Sequence, residues 1–406
     1  MKRNLVLLWL AWFILLYGFQ WLVTNRLQLR QPDKAVVWSA NETLPSSNFG
    51  KIYLLDPFMN RQVAWDSEYY VGIAVGGYDD PEAGAVRNPA NGRSVIKNYS
   101  FFPLYPYLMK AVAFPFGAFR SLSPIGAATL AGAIITLLGT LAAMFALWEL
   151  TRDLFDEDSA WRAVFYMLIF PSAFFFAQIY TEGLFVGLAF WSLAFMKRKQ
   201  WVWASLLGML AAWTRAHGAA LALPLLIAWI MSIDWKSELR PQLTWKWGLQ
   251  GLLALLPLAA YYVWRVSPLG EGWAELQSFY FGRGLMSLES SINSWKDAYF
   301  YARYMSTEGL VYFILEVFAI LVALIGSIWL IRRDPIVASF SLAVILLSVL
   351  SGSAQSMARY MLIVPAMFIA LGYFGRNRIF DRVWTIASLL LMGMSVLLFS
   401  YDMWVG

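Results

Sequence analysis

The chain contains no cysteine and a single histidine, His217. The first absence removes disulfides, thiolate metal sites and cysteine nucleophiles; the second leaves no multi-histidine zinc centre. Charge is scarce as well. Of the 406 residues 14% are charged, against roughly 25% in an ordinary soluble domain. The net charge is +6, but the basic surplus stands in short clusters, Met1-Lys2-Arg3, Lys197-Arg198-Lys199 and Arg332-Arg333. No long basic run with interleaved aromatics marks a nucleic-acid groove, whereas short basic clusters between apolar runs read as cytoplasmic anchors. Hydrophobic residues make up 60% of the chain and are spread along nearly its whole length, which requires lipid around much of the surface. The expectation is an all-α polytopic membrane protein, one membrane domain over residues 1–406.

A membrane-crossing helix needs roughly 20 apolar residues and must satisfy its own backbone hydrogen bonds. About eleven runs qualify as transmembrane helices: Leu5 to Val23, Pro124 to Trp148, Ala163 to Ala177, Gly183 to Met196, Trp201 to Trp213, Gly218 to Ile233, Gly248 to Trp264, Gly309 to Ile331, Ile336 to Leu350, Tyr360 to Phe374 and Val383 to Tyr401. No small-residue cleavage site follows the first run, so it is expected to stay as a helix and not to leave as a signal peptide. Phe101 to Phe119 is apolar but carries Pro103, Pro106, Pro115 and Lys110. A crossing there would turn the basic loops outward, so it is expected to lie in the outer interface. This choice puts the N-terminus in the cytoplasm. It leaves two loops outside, a first over residues 24–123, counted with the interfacial segment, and a second over 265–308. The four runs between Ala163 and Ile233 are short for a crossing: either flanking polar residues snorkel or the bilayer thins locally, or their outer ends stop inside the membrane beneath a cavity, and interrupted segments of that kind point to a site at membrane depth.

Residues able to do chemistry gather on the expected outer side. Trp65-Asp66-Ser67-Glu68-Tyr69-Tyr70 opens a short helix that the Gly76-Gly77 pair closes, and the bare pattern leaves open whether Asp66 reacts or caps that helix. Tyr180-Thr181-Glu182, Thr214-Arg215-Ala216-His217 and Ser356-Met357-Ala358-Arg359-Tyr360 stand at helix junctions. Ionisable groups at membrane depth are costly and face a cavity or a partner. Arg215 and Arg359 suit an anion, phosphate above all; the plainer alternative pairs Arg215 with Glu182. His217 at a helix end is as consistent with packing as with chemistry. Glu149 and Glu316 have no motif around them and receive no role. Asp66, Glu68, Asp79 and Asp80 offer oxygen ligands for a hard cation, although the chemistry below requires no metal. Asn41-Glu42-Thr43 and Asn98-Tyr99-Ser100 match the glycosylation sequon. The aromatics of the second loop, Tyr280, Phe281, Trp295, Tyr299, Phe300, Tyr301 and Tyr304, suit a membrane interface or a lid.

The order Trp65-Asp66-Ser67 with Tyr70, Ile73-Ala74 and Gly77-Tyr78, then Ser100-Phe101-Phe102-Pro103-Leu104-Tyr105-Pro106, resembles the PIG-V family of membrane mannosyltransferases. In eukaryotes that family adds the second mannose of the GPI anchor. The likeness continues through Phe170-Pro171-Ser172, Tyr180-Thr181-Glu182-Gly183-Leu184-Phe185, Thr214-Arg215 with Gly218, and Arg359-Tyr360. Asp79 to Asn98 is longer and more polar than the family pattern. The resemblance implies the GT-C architecture and a polyprenyl-phosphate sugar donor, with a glycan or glycolipid acceptor. It implies Asp66 as catalytic base; a departing lipid phosphate then calls for preorganised cations, a role assigned to Arg215 and Arg359 with His217 as helper. Trp65, Glu68, Tyr70, Tyr180, Glu182 and Tyr360 are then the substrate contacts, and no cofactor is called for. A transporter or lipid flippase also uses intramembrane charge near a central site, and a non-catalytic assembly subunit would not need these groups together. The transporter class often shows an internal repeat, and no convincing self-similarity is present here; the discriminating observation is whether Asp66, Arg215 and Arg359 converge on one outward cavity reachable from lipid, since scattered positions would exclude the enzyme.

Overall fold

The computed structural model describes residues 2–27, 61–118, 122–233, 244–284, 286–305, 307–401 and 403–405, and each of the apolar runs carries helix. The chain opens with α1 (Lys2–Arg26). The first loop holds α2 (Asp66–Gly76), an antiparallel hairpin of β1 (Ala85–Arg87) and β2 (Ser94–Ile96), and α3 (Leu104–Ala113). Then come α4 (Pro124–Leu154), α5 (Glu157–Ile169), α6 (Glu182–Lys197), α7 (Trp201–Ala212) and α8 (Ala222–Met231), the last entered through a 3-10 turn over Ala216–Leu221. They are followed by α9 (Trp245–Ala254) and α10 (Leu256–Arg265), and by α11 (Pro268–Phe279) and α12 (Leu288–Tyr304) in the second loop. The chain finishes with α13 (Thr307–Leu330), α14 (Pro335–Val349), α15 (Met357–Tyr360), α16 (Pro365–Phe374) and α17 (Arg378–Ser400).

The eleven runs are not eleven uniform crossings. Among the described residues α1, α4, α13 and α17 are long and apolar enough to cross a membrane alone, and the number reaches six if two bent pairs are each one span. Those pairs are α9 with α10, bent by 45°, and Met357–Ile363 with α16, bent by 82°. Proline accounts for the breaks, because it lacks the N–H that continues a helix and its ring displaces the preceding turn. Pro257 opens α10, Pro365 opens α16, and Pro171 follows the end of α5 well short of Ala177. The ten residues of α3 rise about 15 Å, half of a bilayer core, and a 3-10 turn over Phe114–Ala118 follows directly. Tyr105 and Met109 are buried beneath α3, and Phe114 beyond its end is 84% exposed.

The break after α5 leaves carbonyls that must find donors, because lipid supplies none. Two threonines one turn apart on α4 meet this need: Thr140 Oγ1 donates to Phe176 O at 2.8 Å and Thr136 Oγ1 to Tyr180 O at 2.9 Å. From α1, Trp12 Nε1 donates to Leu168 O at 2.7 Å and Tyr17 Oη to Ala177 O at 2.6 Å. The first helix therefore packs against α5 and the segment that follows it. Glycines let α4 and α6 touch along their backbones: a Cβ on Gly139 would stand 2.5 Å from Gly183 O. Small residues at such crossings are the ordinary means of close packing in membranes.

The first and second loops meet at Glu275 on α11, whose Oε1 accepts from Asn88 Nδ2 at 2.7 Å and Asn91 Nδ2 at 2.8 Å. The Asn91 and Asn88 amides, with Arg93 nearby, hold this carboxyl below its ordinary value. The polar stretch that holds Asn88, Asn91 and Arg93 is thus an anchor between loops. Asn98 is fully buried and donates to Gly77 O at 2.9 Å, so the second sequon is not open to modification in this fold. Asn41-Glu42-Thr43 lies outside the described residues.

At the other end of the bundle Lys197 Nζ meets Asp334 Oδ2 at 2.6 Å, Arg198 pairs with Glu149, and Arg376 pairs with Asp156. The basic loops are therefore neighbours. Helix α6 runs from Glu182 to Lys197, so it joins two opposite ends of the molecule about 22 Å apart.

Candidate active site

Four chain segments bring one charged group each to a common place. Asp66 is the first residue of α2 and Glu182 the first residue of α6, positions where the positive end of the helix dipole favours a carboxylate. Arg215 is extended between α7 and the following 3-10 turn, and Arg359 lies in the single turn of α15. Arg359 Nη1 donates to Asp66 Oδ2 at 2.8 Å and its Nε stands 3.5 Å from Glu182 Oε1, while Arg215 Nη1 bonds to that same Glu182 oxygen and to Thr181 Oγ1 at 3.3 Å. The result is a continuous row, Asp66, Arg359, Glu182, Arg215. Side-chain exposure along it is 34%, 7%, 1% and 12%. Buried charge is tolerated only when paired, and Asp66 alone reaches substantially into the open.

Aromatic faces complete the surroundings of the cations. The Arg359 guanidinium lies 5.4, 5.3 and 5.5 Å from the rings of Phe175, Tyr180 and Tyr360, and that of Arg215 lies 5.3 Å from Tyr360. Such contacts stabilise a cation withdrawn from water. Two of the four non-glycine residues with positive φ among those described adjoin this site: Trp65 (φ 58), directly before Asp66, and Ser356 (φ 66), which opens the turn of Arg359. Conformations of this kind cost about 1–3 kcal/mol each and collect where function requires them.

The two alternatives for the charged residues resolve differently. Asp66 does not cap its helix; Trp65 holds the N-cap position without a side-chain bond, and the Asp66 carboxylate turns to Arg359. Arg215 does pair with Glu182, but that pair belongs to the same row as Asp66 and Arg359. His217 stays at the edge, with Nε2 3.0 Å from Ser348 Oγ and its ring 5.6 Å from that of Tyr360. Trp65 stands edge-on to Trp404 at 5.0 Å, and Glu68 is buried. Tyr70 packs edge-on against Phe101 and Tyr105, and Tyr180 donates to Ala64 O at 3.0 Å, fixing the chain just before Asp66. Asp79 accepts from Tyr99 Oη at 2.7 Å, and among the described residues no three acidic or histidine side chains gather as a metal-ligand set. Tyr299, Phe300, Tyr301 and Tyr304 of α12 are exposed.

Sequence patterns missed the bracing behind Arg359 and one further cation. Glu316 Oε2 on α13 accepts from Ala358 N at 2.7 Å, Tyr312 Oη accepts from Ser356 N at 2.9 Å, and Ser172 Oγ donates to Ala358 O at 2.8 Å. These bonds hold the turn that carries Arg359. In the second loop Arg283 Nη1 donates to Tyr360 Oη at 3.1 Å. The only local signal for it was an arginine set between Gly282 and Gly284 in an aromatic loop.

Residues 3–239 match the family model described as mannosyltransferase (PIG-V). The matched span contains Asp66, Glu182, Arg215 and His217; Arg283, Arg359 and Tyr360 lie beyond it. Comparison with curated proteins gave no match. Among solved structures the chain is similar to ArnT from Cupriavidus metallidurans bound to undecaprenyl phosphate, at 13% identity over 99% of this chain and 77% of that one, with a TM-score of 0.49. It is also similar to the archaeal oligosaccharyltransferase AglB from Archaeoglobus fulgidus in complex with an inhibitory peptide and a dolichol-phosphate. There the identity is 15% over 97% of this chain and 55% of that one, with a TM-score of 0.44.

Proposed function

The chain belongs to the PIG-V family of membrane mannosyltransferases, an integral-membrane glycosyltransferase of the GT-C class, and on that premise we propose that the row Asp66, Arg359, Glu182, Arg215 is its active site. The reaction is transfer of a hexose, mannose by expectation, from a polyprenyl phosphate to a hydroxyl of a glycan or glycolipid on the outer face. The observation that carries this reading is the convergence of one half-open carboxylate with two arginines from segments far apart in the chain. Neither an assembly subunit nor simple helix capping calls for it.

In the proposed step the acceptor oxygen attacks the anomeric carbon, Asp66 takes the acceptor's proton, and the bond from that carbon to the phosphate oxygen breaks. The electron pair leaves with the lipid phosphate. A positioned carboxylate is suited to the first task, and preorganised cations in a site poor in water are suited to the second. Arg215 and Arg359 serve the leaving phosphate, with His217 beside them. An arriving phosphate competes with Asp66 for Arg359, so donor binding frees the carboxylate for the acceptor. Glu182 keeps both arginines in place. Of the substrate contacts Trp65 is the half-buried one, whereas Glu68, Tyr70, Tyr180 and Tyr360 support the row from buried positions.

The neighbouring basic loops at the far end of α6 support a cytoplasmic N-terminus and an outward-facing site. With the first loop taken as 24–123 and the second as 265–308, both loops belong to that outer side. A single displacement predicts inversion. Nuclear magnetic resonance of the product should show the anomeric configuration opposite to that of the donor, and retention would contradict direct attack assisted by Asp66.

A further inference from the structure

Within the proposed active site two carboxylates face two guanidiniums, so the row has no surplus of positive charge for an incoming phosphate. Arg283 supplies one. Its Nη1 donates to Tyr360 Oη at 3.1 Å, and the Tyr360 ring lies 5.3 Å from the Arg215 guanidinium and 5.5 Å from that of Arg359. Three cations thus flank one tyrosine. Among the described residues no carboxylate forms an ion pair with Arg283, and its guanidinium lies 5.8 Å from the Phe281 ring. Like charges drawn together repel unless an anion joins them, and arginine is the side chain whose planar fork suits phosphate oxygens.

The placement is built into the backbone. Gly284 N donates to Ser351 O at 2.9 Å and Ser287 N to Leu350 O at 3.0 Å. Gly352 N donates to Ser291 Oγ and Ala354 N to Ser294 Oγ, both at 2.9 Å. A Cβ on Gly352, whose φ is +93°, would stand 2.6 Å from Gly282 O, so the close approach of the two strands needs glycine there. The second loop is thereby fixed to the segment that leads into Arg359, and Arg283 is carried to the site by that attachment.

We propose that Arg283 binds the phosphate of the lipid donor, as a third arginine contributed by the second loop. This rests on the active-site reading above and adds a ligand contact that the family-matched span does not contain. Tyr360 orients the guanidinium and passes between the three cations.

The test uses the full-length protein in detergent with farnesyl phosphate, farnesol and inorganic phosphate as separate probes. Arg283→Gln should weaken farnesyl phosphate binding about tenfold or more, Arg283→Lys should recover part of it, and neither should change farnesol uptake. The wild-type affinity should fall with added salt more steeply than that of Arg283→Gln, a difference that a purely structural contact to Tyr360 would not produce. Farnesyl phosphate binding by Arg283→Gln within about twofold of wild type overturns the inference and leaves the active-site reading standing. Inorganic phosphate that displaces farnesyl phosphate at equal concentration also overturns it, because the contact then belongs to a free anion. Wild-type protein that binds farnesyl phosphate no better than farnesol overturns the active-site reading itself.

Discussion

Replacing Asp66 by asparagine should lower sugar transfer by about 10²–10⁴-fold, the usual contribution of a positioned general base, and should leave donor binding unchanged or stronger. The second half of this expectation comes from the geometry. Asp66 holds Arg359 at 2.8 Å, so in the proposed site the carboxylate and an arriving donor phosphate compete for the same guanidinium. Asparagine keeps the shape and removes the competing charge. Single-turnover transfer and equilibrium binding of the donor, measured on the same preparation, separate the two effects. Loss of binding in parallel with turnover would mean that Asp66 holds the site together and does not act on the acceptor.

Replacing Glu182 by glutamine should produce the largest loss of stability of any single change in the row. Its side chain is 1% exposed, and one of its oxygens serves both arginines. Removal of that charge leaves two nearly buried guanidiniums with one carboxylate between them. Breaking a buried pair from one side costs about 3–5 kcal/mol, whereas removing both partners together is often close to neutral. Glu182→Gln should therefore melt well below wild type in the same detergent, and Glu182→Gln with Arg215→Gln should recover a substantial part of the difference. Equal melting of wild type and the single variant would show that the Glu182 charge is not needed to hold the arginines.

The helices and the residues of the candidate site were legible because their causes are local. Apolar runs interrupted by basic clusters mark α1, α4, α13 and α17 by composition alone, and Gly76-Gly77 marks the end of α2 at Gly76. The charged residues Asp66, Glu182, Arg215 and Arg359 stood out because each is an ionisable group beside an apolar run. Their pairing was not legible, since Arg359 meets Asp66 across 293 positions of sequence and no pattern records such a contact. Hydropathy also could not give the form of the crossings. Pro171, Pro257 and Pro365 break apolar runs without making them less apolar, and at the first of these breaks the freed carbonyls find donors in Thr136, Thr140, Trp12 and Tyr17 from other helices. Asn98 matched a surface motif and is instead a buried donor to Gly77. Arg283 escaped notice because its neighbours in sequence are glycines and its neighbours in space are Tyr360 and Phe281.

The measurement that tests the account most directly is release of lipid phosphate from a short-chain polyprenyl-phosphate mannose by purified wild-type protein, with a hydroxyl acceptor present. The account predicts one lipid phosphate released for each sugar transferred, and release that depends on the acceptor. Donor binding without release across a range of glycan and glycolipid acceptors would contradict it, because a site that holds the phosphate but never breaks the bond to the sugar is not a transferase site.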